Sequence, residues 1–179
     1  MRNNQTEPNI WRGMLVGLIA GLAASWTMDR FQGVWFALSP SNDSTKDENS
    51  TEENHRSEDG DESGDDATMK AASALSEGLF GHKMTTAEKK IAGPVVHYAV
   101  GATSGIVYGA AAEFLPEVTV GFGLPYGTVF WLVVDEGAVP LLRLSKPPTA
   151  YSLSTHSYAL ASHLVFGATA EGVRRLLRG

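Results

Sequence analysis

Apolar positions in this 179-residue chain gather into four long runs, at 13–38, 93–116, 118–142 and 155–177. A helix needs about 20 mainly apolar residues to cross a bilayer, and each run is long enough. The pattern predicts an all-α, polytopic membrane helical bundle with four transmembrane helices. Small residues thread the runs at helical intervals. Gly13, Gly17 and Gly21 lie four apart in the first, Gly101, Gly105 and Gly109 in the second, and Gly167 follows His163 by four in the last. Glycines at that spacing share one helical face and let backbones approach closely, within one chain or across a dimer.

The segments between the runs differ in kind. Residues 1–12 form a short tail ending in Trp11 and Arg12, an aromatic and a cation suited to a headgroup boundary. Residues 39–67 read as a disordered acidic linker. Residues 68–92 read as a short amphipathic surface helix, from the spacing of Met69, Ala72, Leu75, Leu79 and Phe80. Gly78 and Gly81 interrupt that spacing. Thr85 and Glu88 then stand as a capping box, so the second span can start helically near Thr86 and pass or bend at Pro94. A loop at 143–154 contains Lys146-Pro147-Pro148, an extended segment.

Charge sharpens the division. Residues 41–66 hold eleven of the twenty acids against Lys46 and Arg56, so this stretch carries −9 and the rest of the chain +3. It has no aliphatic or aromatic side chain with which to build a core. Cysteine is absent, which excludes disulfides, thiolate metal sites and cysteine nucleophiles. Positive residues mark both sides of the spans, with a slight balance towards termini in the cytoplasm and the linker outside.

The ionisable residues inside the runs that are candidates for chemistry are few: Asp29, His97, Glu113, Asp135, Glu136, His163 and Glu171, with His156 at the start of the fourth. Each costs about 3 kcal/mol at the bilayer centre unless partnered or wetted. They predict a polar seam that either locks the helices or carries protons or ions. His97 and Glu113 are sixteen residues apart, about 24 Å along a helix, which places them near opposite ends of the second span. His163, Gly167 and Glu171 share a face, and Asp135 is expected near mid-depth. Metal ligation needs several converging His or carboxylate groups, and no HExxH or short paired His spacing occurs. Hydrolase, nucleotide and dinucleotide motifs are also missing, and Ser154 near His156 lacks a nucleophile elbow. No catalytic residue, cofactor, metal or nucleic-acid partner is expected. The expected partners are the lipid bilayer and, through the glycine faces, a second copy of the chain.

The chain also echoes itself. HYAVGAT at 97–103 returns as HLVFGAT at 163–169, and Gly17, Gly21 and Asp29 match Gly123, Gly127 and Asp135 in spacing. Two copies of one helical hairpin in the same orientation would give this pattern.

WLVVDEGAVP at 131–140 and LSKPPTAYSLSTHSYALASHLVFG at 144–167, with HYAVGATSGIVYG at 97–109 and GLIAGLAASWTM at 17–28, resemble the YagU-like proteins of the bacterial inner membrane. The resemblance implies a small multi-pass inner-membrane protein of a family largely of unknown function, and no enzymatic activity is expected. It also implies a link to acid resistance, since one member is associated with it. It transfers no catalytic residue.

Overall fold

The computed structural model describes residues 8–38 and 62–178, with side chains from residue 67 onward in the second stretch. Every regular element among them is helical. Helix α1 spans Ile10–Leu38. The Asn9 side chain accepts the Arg12 amide at 3.1 Å, satisfying one of the free donors of its first turn. Helix α2 spans Glu62–Phe80 and α3 spans Thr86–Phe114. Thr85 caps α3 by the expected reciprocal bonds: its hydroxyl accepts the Glu88 amide at 3.3 Å and its amide donates to the Glu88 carboxylate at 2.6 Å. The helix then runs unbroken through Pro94 and stops just before Pro116.

Three of the boundaries differ from those read from the runs. Helix α2 begins inside the stretch assigned to the linker, and the linker reading of 39–61 lies outside the described residues. The surface helix expected at 68–92 is two pieces. Gly81, at φ 64°, ends the first in a conformation that side chains rarely adopt, and the Thr85 cap starts α3. The third run is segmented as well. A 3₁₀ stretch, Pro116–Gly123, contains three consecutive left-handed residues, Gly121, Phe122 and Gly123. Helix α4 follows at Leu124–Val133, then a π turn at Val134–Ala138, a three-residue α5 at Val139–Leu141, and a loop to α6 at Leu153–Arg178. The π turn has a local cause. Pro140 has no amide to give the Glu136 carbonyl, and the Val139 amide reaches back five residues to Val134.

Three segments are long and apolar enough to cross a membrane: Ile10–Leu38, Thr86–Phe114 and Pro116–Leu141. Helix α6 has the length and is not among them by composition. The packing is the reverse of that in a water-soluble domain. Interior positions are mostly small (Gly17, Ala20, Gly21, Ala24, Ser25, Gly101, Ser104, Gly105), whereas Leu15, Ile19, Val107, Val129 and Val133 are more than half exposed. An outside greasier than the inside belongs to a protein solvated by hydrocarbon.

Helix α1 packs antiparallel on α3 and on α6, and α6 packs antiparallel on α4. Tyr126 of α4 closes the ring by bonding Ser104 of α3, hydroxyl to hydroxyl at 2.7 Å and hydroxyl to carbonyl at 2.8 Å. The core between the helices is Ala20, Ala24, Met28, Tyr108, Phe166 and Ala170.

Candidate functional site: two aspartate–histidine pairs

The glycine faces bring the helices together. A Cβ at Gly17 would land on the Gly105 carbonyl, one at Gly21 on the Gly101 carbonyl, and one at Gly109 on the Gly13 carbonyl. The α1–α3 contact is therefore backbone on backbone over three levels, and these glycines face each other within the chain. Gly167 plays the same part in the second hairpin, against Gly123 and Gly127.

Above the glycines, each hairpin carries an acid–base pair. Asp29 on α1 meets α3 twice: Tyr98 donates its hydroxyl to Oδ2 at 2.7 Å, and His97 Nε2 lies 3.1 Å from Oδ1. The His97 nitrogen is buried and makes no aligned hydrogen bond, so its attraction to Asp29 is electrostatic. In the second hairpin, Asp135 Oδ2 lies 3.6 Å from His163 Nδ1, an ion-pair distance too long for a hydrogen bond. His163 is 5% exposed and gives its Nδ1 proton to the Ala159 carbonyl at 2.9 Å. The phenyl ring of Phe130 stands edge-on to its imidazole, 5.2 Å between centroids. The residues that echo each other in sequence, Asp29 with Asp135 and His97 with His163, thus form one pair in each hairpin, although Gly167 packs at the place of Gly105 and α6 is offset by one turn from α3.

The π turn supplies a third pair. Asp135 and Glu136 are both in it, and both reach α6, seven residues apart at His163 and His156. His156 Nδ1 lies 2.7 Å from Glu136 Oε1, and its Nε2 lies 3.0 Å from the Pro148 carbonyl. A carbonyl only accepts, so Nε2 carries a proton, and a second proton is shared between Nδ1 and the Glu136 carboxyl. Ser154 bonds Ser152 at 2.7 Å and takes no part.

The other two predicted seam residues lie at the opposite end of the bundle. Glu171, fully buried, accepts four hydrogen bonds: from Tyr108 at 2.7 Å, from Arg174 at 2.6 and 2.9 Å, and from Arg175 at 2.6 Å. Glu113 pairs with Arg178 at 2.5 Å and accepts the Asn9 amide at 3.1 Å. The single seam expected from sequence is two layers, one of aspartates and histidines with Glu136, one of Glu113, Glu171 and arginines. His97 also moves inward: α3 starts at Thr86, so His97 lies eleven residues, about 17 Å, along it rather than near its end. Among the described residues no three His, Asp or Glu side chains gather as metal ligands.

Between the four helices, at the level of the aspartate–histidine pairs, is a half-open cavity of about 50 Å³. Ser25 and Met28 line it from α1, His97 and Gly101 from α3, Phe130 from α4, and His163 from α6. Sequence reasoning missed the hydroxyls of this region, Ser25, Tyr98, Ser104 and Tyr126, because each counts as small or apolar in a hydropathy pattern.

Residues 74–172, more than half of the chain, match a family described as "Protein of unknown function (DUF1440)". The chain belongs to that family, and the match takes in both histidine motifs and the π turn while leaving out α1. No curated protein and no solved structure matches it.

Proposed function

We propose that this member of the family is a four-span, YagU-like protein of the bacterial inner membrane. In this reading its two aspartate–histidine pairs take up and pass protons within the bundle, in support of acid tolerance. The observation that carries the reading is the duplicated geometry, Asp29 beside His97 and Asp135 beside His163, around one small cavity. Imidazole is the side chain whose charge changes near neutral pH, and a facing carboxylate tunes that change. Ionisable groups placed among membrane helices cost several kcal/mol, which favours a working role over an incidental one.

What α6 does with its polar residues supports reading it as a fourth span. Its 26 residues reach about 39 Å, and it lies antiparallel to α1. Glu171 and His163 face inward, and Arg174 and Arg175 bond Glu171, so its low average hydropathy comes in part from an interior face. The glycine faces are filled by each other within the chain, which leaves less room for the dimer reading.

The test is proton flux into liposomes holding the purified protein and a trapped pH dye. After an acid step, wild-type vesicles acidify well above the rate of protein-free vesicles. Asp135→Asn and His163→Gln each lower that excess at least tenfold while the protein stays monodisperse in detergent. Wild-type flux equal to that of empty vesicles would end the proposal.

A further inference from the structure

We infer that the cavity between the four helices is an internal water site, held by Ser25, His97 and His163, which couples the two aspartate–histidine pairs into one acid–base centre. The Ser25 hydroxyl is fully buried, lines the cavity beside Gly101 and has no hydrogen-bond partner in the protein. A buried hydroxyl without a partner is costly, and protein interiors meet that cost with ordered water. The space suits it. A water needs roughly 10–15 Å³ of such volume and two to four polar neighbours. About 50 Å³ is available, with the Ser25 hydroxyl and the two imidazoles on the walls.

The two histidines come to this space from opposite hairpins, each with an aspartate behind it. The His163–Asp135 separation of 3.6 Å and the unaligned His97–Asp29 contact both leave bonding capacity that water can fill. Titratable groups reach this layer from α1, α3, the π turn and α6, while α4 presents Phe130. Helix α1 brings Asp29, while Arg30 turns to the Trp26 ring. Helix α3 brings His97 and Tyr98, the π turn Asp135 and Glu136, and α6 His163 and His156. Both imidazoles line the one cavity, so a water chain between them links the protonation of one ring to that of the other.

The water site stands on the packing alone, whereas its role in moving protons rests on the reading proposed above. The experiment is water-edited solid-state NMR on ¹⁵N-histidine-labelled protein in bilayers, with a pH titration of both rings. Magnetisation should pass from water to the ring nitrogens of His97 and His163, and Ser25→Ala should at least halve that transfer at both. Ser25→Cys, close in size and a weak donor, gives the same answer if the alanine variant does not fold. His97→Gln should move the His163 midpoint by at least half a pH unit, since it removes one of the two rings on the shared water. Two dry rings, transfer indifferent to Ser25, or an unmoved midpoint each overturn the inference. Wet, coupled rings in a protein without flux sink the proton-passage reading alone; flux lost in Asp135→Asn through a dry cavity sinks only the water site.

Discussion

The two hairpins are built on one plan and part company at one position. In the first, Gly13, Gly17 and Gly21 oppose Gly109, Gly105 and Gly101, and the helices stay in backbone contact to the end. In the second, Gly167 meets the Gly123 carbonyl and the Gly127 backbone as Gly105 meets those of Gly17 and Gly21. One level further on, however, α6 offers Glu171 where α3 offers Gly109. A side chain there takes up the space that a second backbone would need. The opposing chain leaves the α-helix at this level, at Gly121–Gly123, and Tyr108, Arg174 and Arg175 gather on the carboxylate. The difference teaches that glycine at one register position continues a helix pair, and that a charged residue there ends it and founds a polar cluster.

The largest effect expected is from Gly105→Leu. Its Cβ alone would strike the Gly17 carbonyl and the Gly21 backbone, neither of which can move without separating α1 from α3. Overpacking costs typically 1–3 kcal/mol and more against rigid backbone, about 3 kcal/mol or above here. The check is monodispersity and thermal unfolding in detergent, and a variant as stable as the parent would refute the backbone contact.

Next comes Glu171→Gln, which leaves two arginines facing a neutral amide. Removing one partner of a buried ion pair costs about 3–5 kcal/mol, reduced here because Arg175 is half exposed. The loss should show as a lower unfolding temperature, larger than the loss from Glu136→Gln in the partly exposed pair with His156.

Tyr98→Phe sharpens the comparison of the two acid–base pairs. It removes a hydroxyl from Asp29 at 2.7 Å, and hydrogen bonds to charged groups contribute about 1.5–3 kcal/mol. The matching position in the second hairpin is Leu164, so no equivalent loss exists there. The NMR signal of His97 should shift while that of His163 moves little. The smallest effect is expected from Gly33→Ala. Gly33 lies on α1 with nothing within 4 Å of an added Cβ, so the change should be neutral or stabilise by up to about 1 kcal/mol. A large loss would mean that this part of α1 has a partner outside the chain.

Much of this was legible from the sequence, for identifiable reasons. The fourfold spacing of Gly13, Gly17 and Gly21 reveals a close-packed face, and the self-similar motifs anticipated a histidine in each hairpin, though not the one-turn offset between them. Spacing names a face but not its mate, so the opposition of Gly17 and Gly105 had to come from the structure. His97 was misplaced because the span was started at the first apolar residue, Gly93, and not at the Thr85 cap that begins the helix. Glu171 was grouped with His163, two turns away on one face. Its true partners, Arg174 and Arg175, stood three and four residues on, at ordinary helical pairing distance. The break at Gly121–Gly123 and the π turn escaped because an apolar run gives no sign of how its backbone is wound.

Glu113 offers a practical consequence. One carboxylate holds both the amide of Asn9, where α1 begins, and the guanidinium of Arg178, where α6 closes. Appendages attached at these two places would leave the bundle from the same rim, so complementary halves of a split fluorescent reporter could meet within a single molecule.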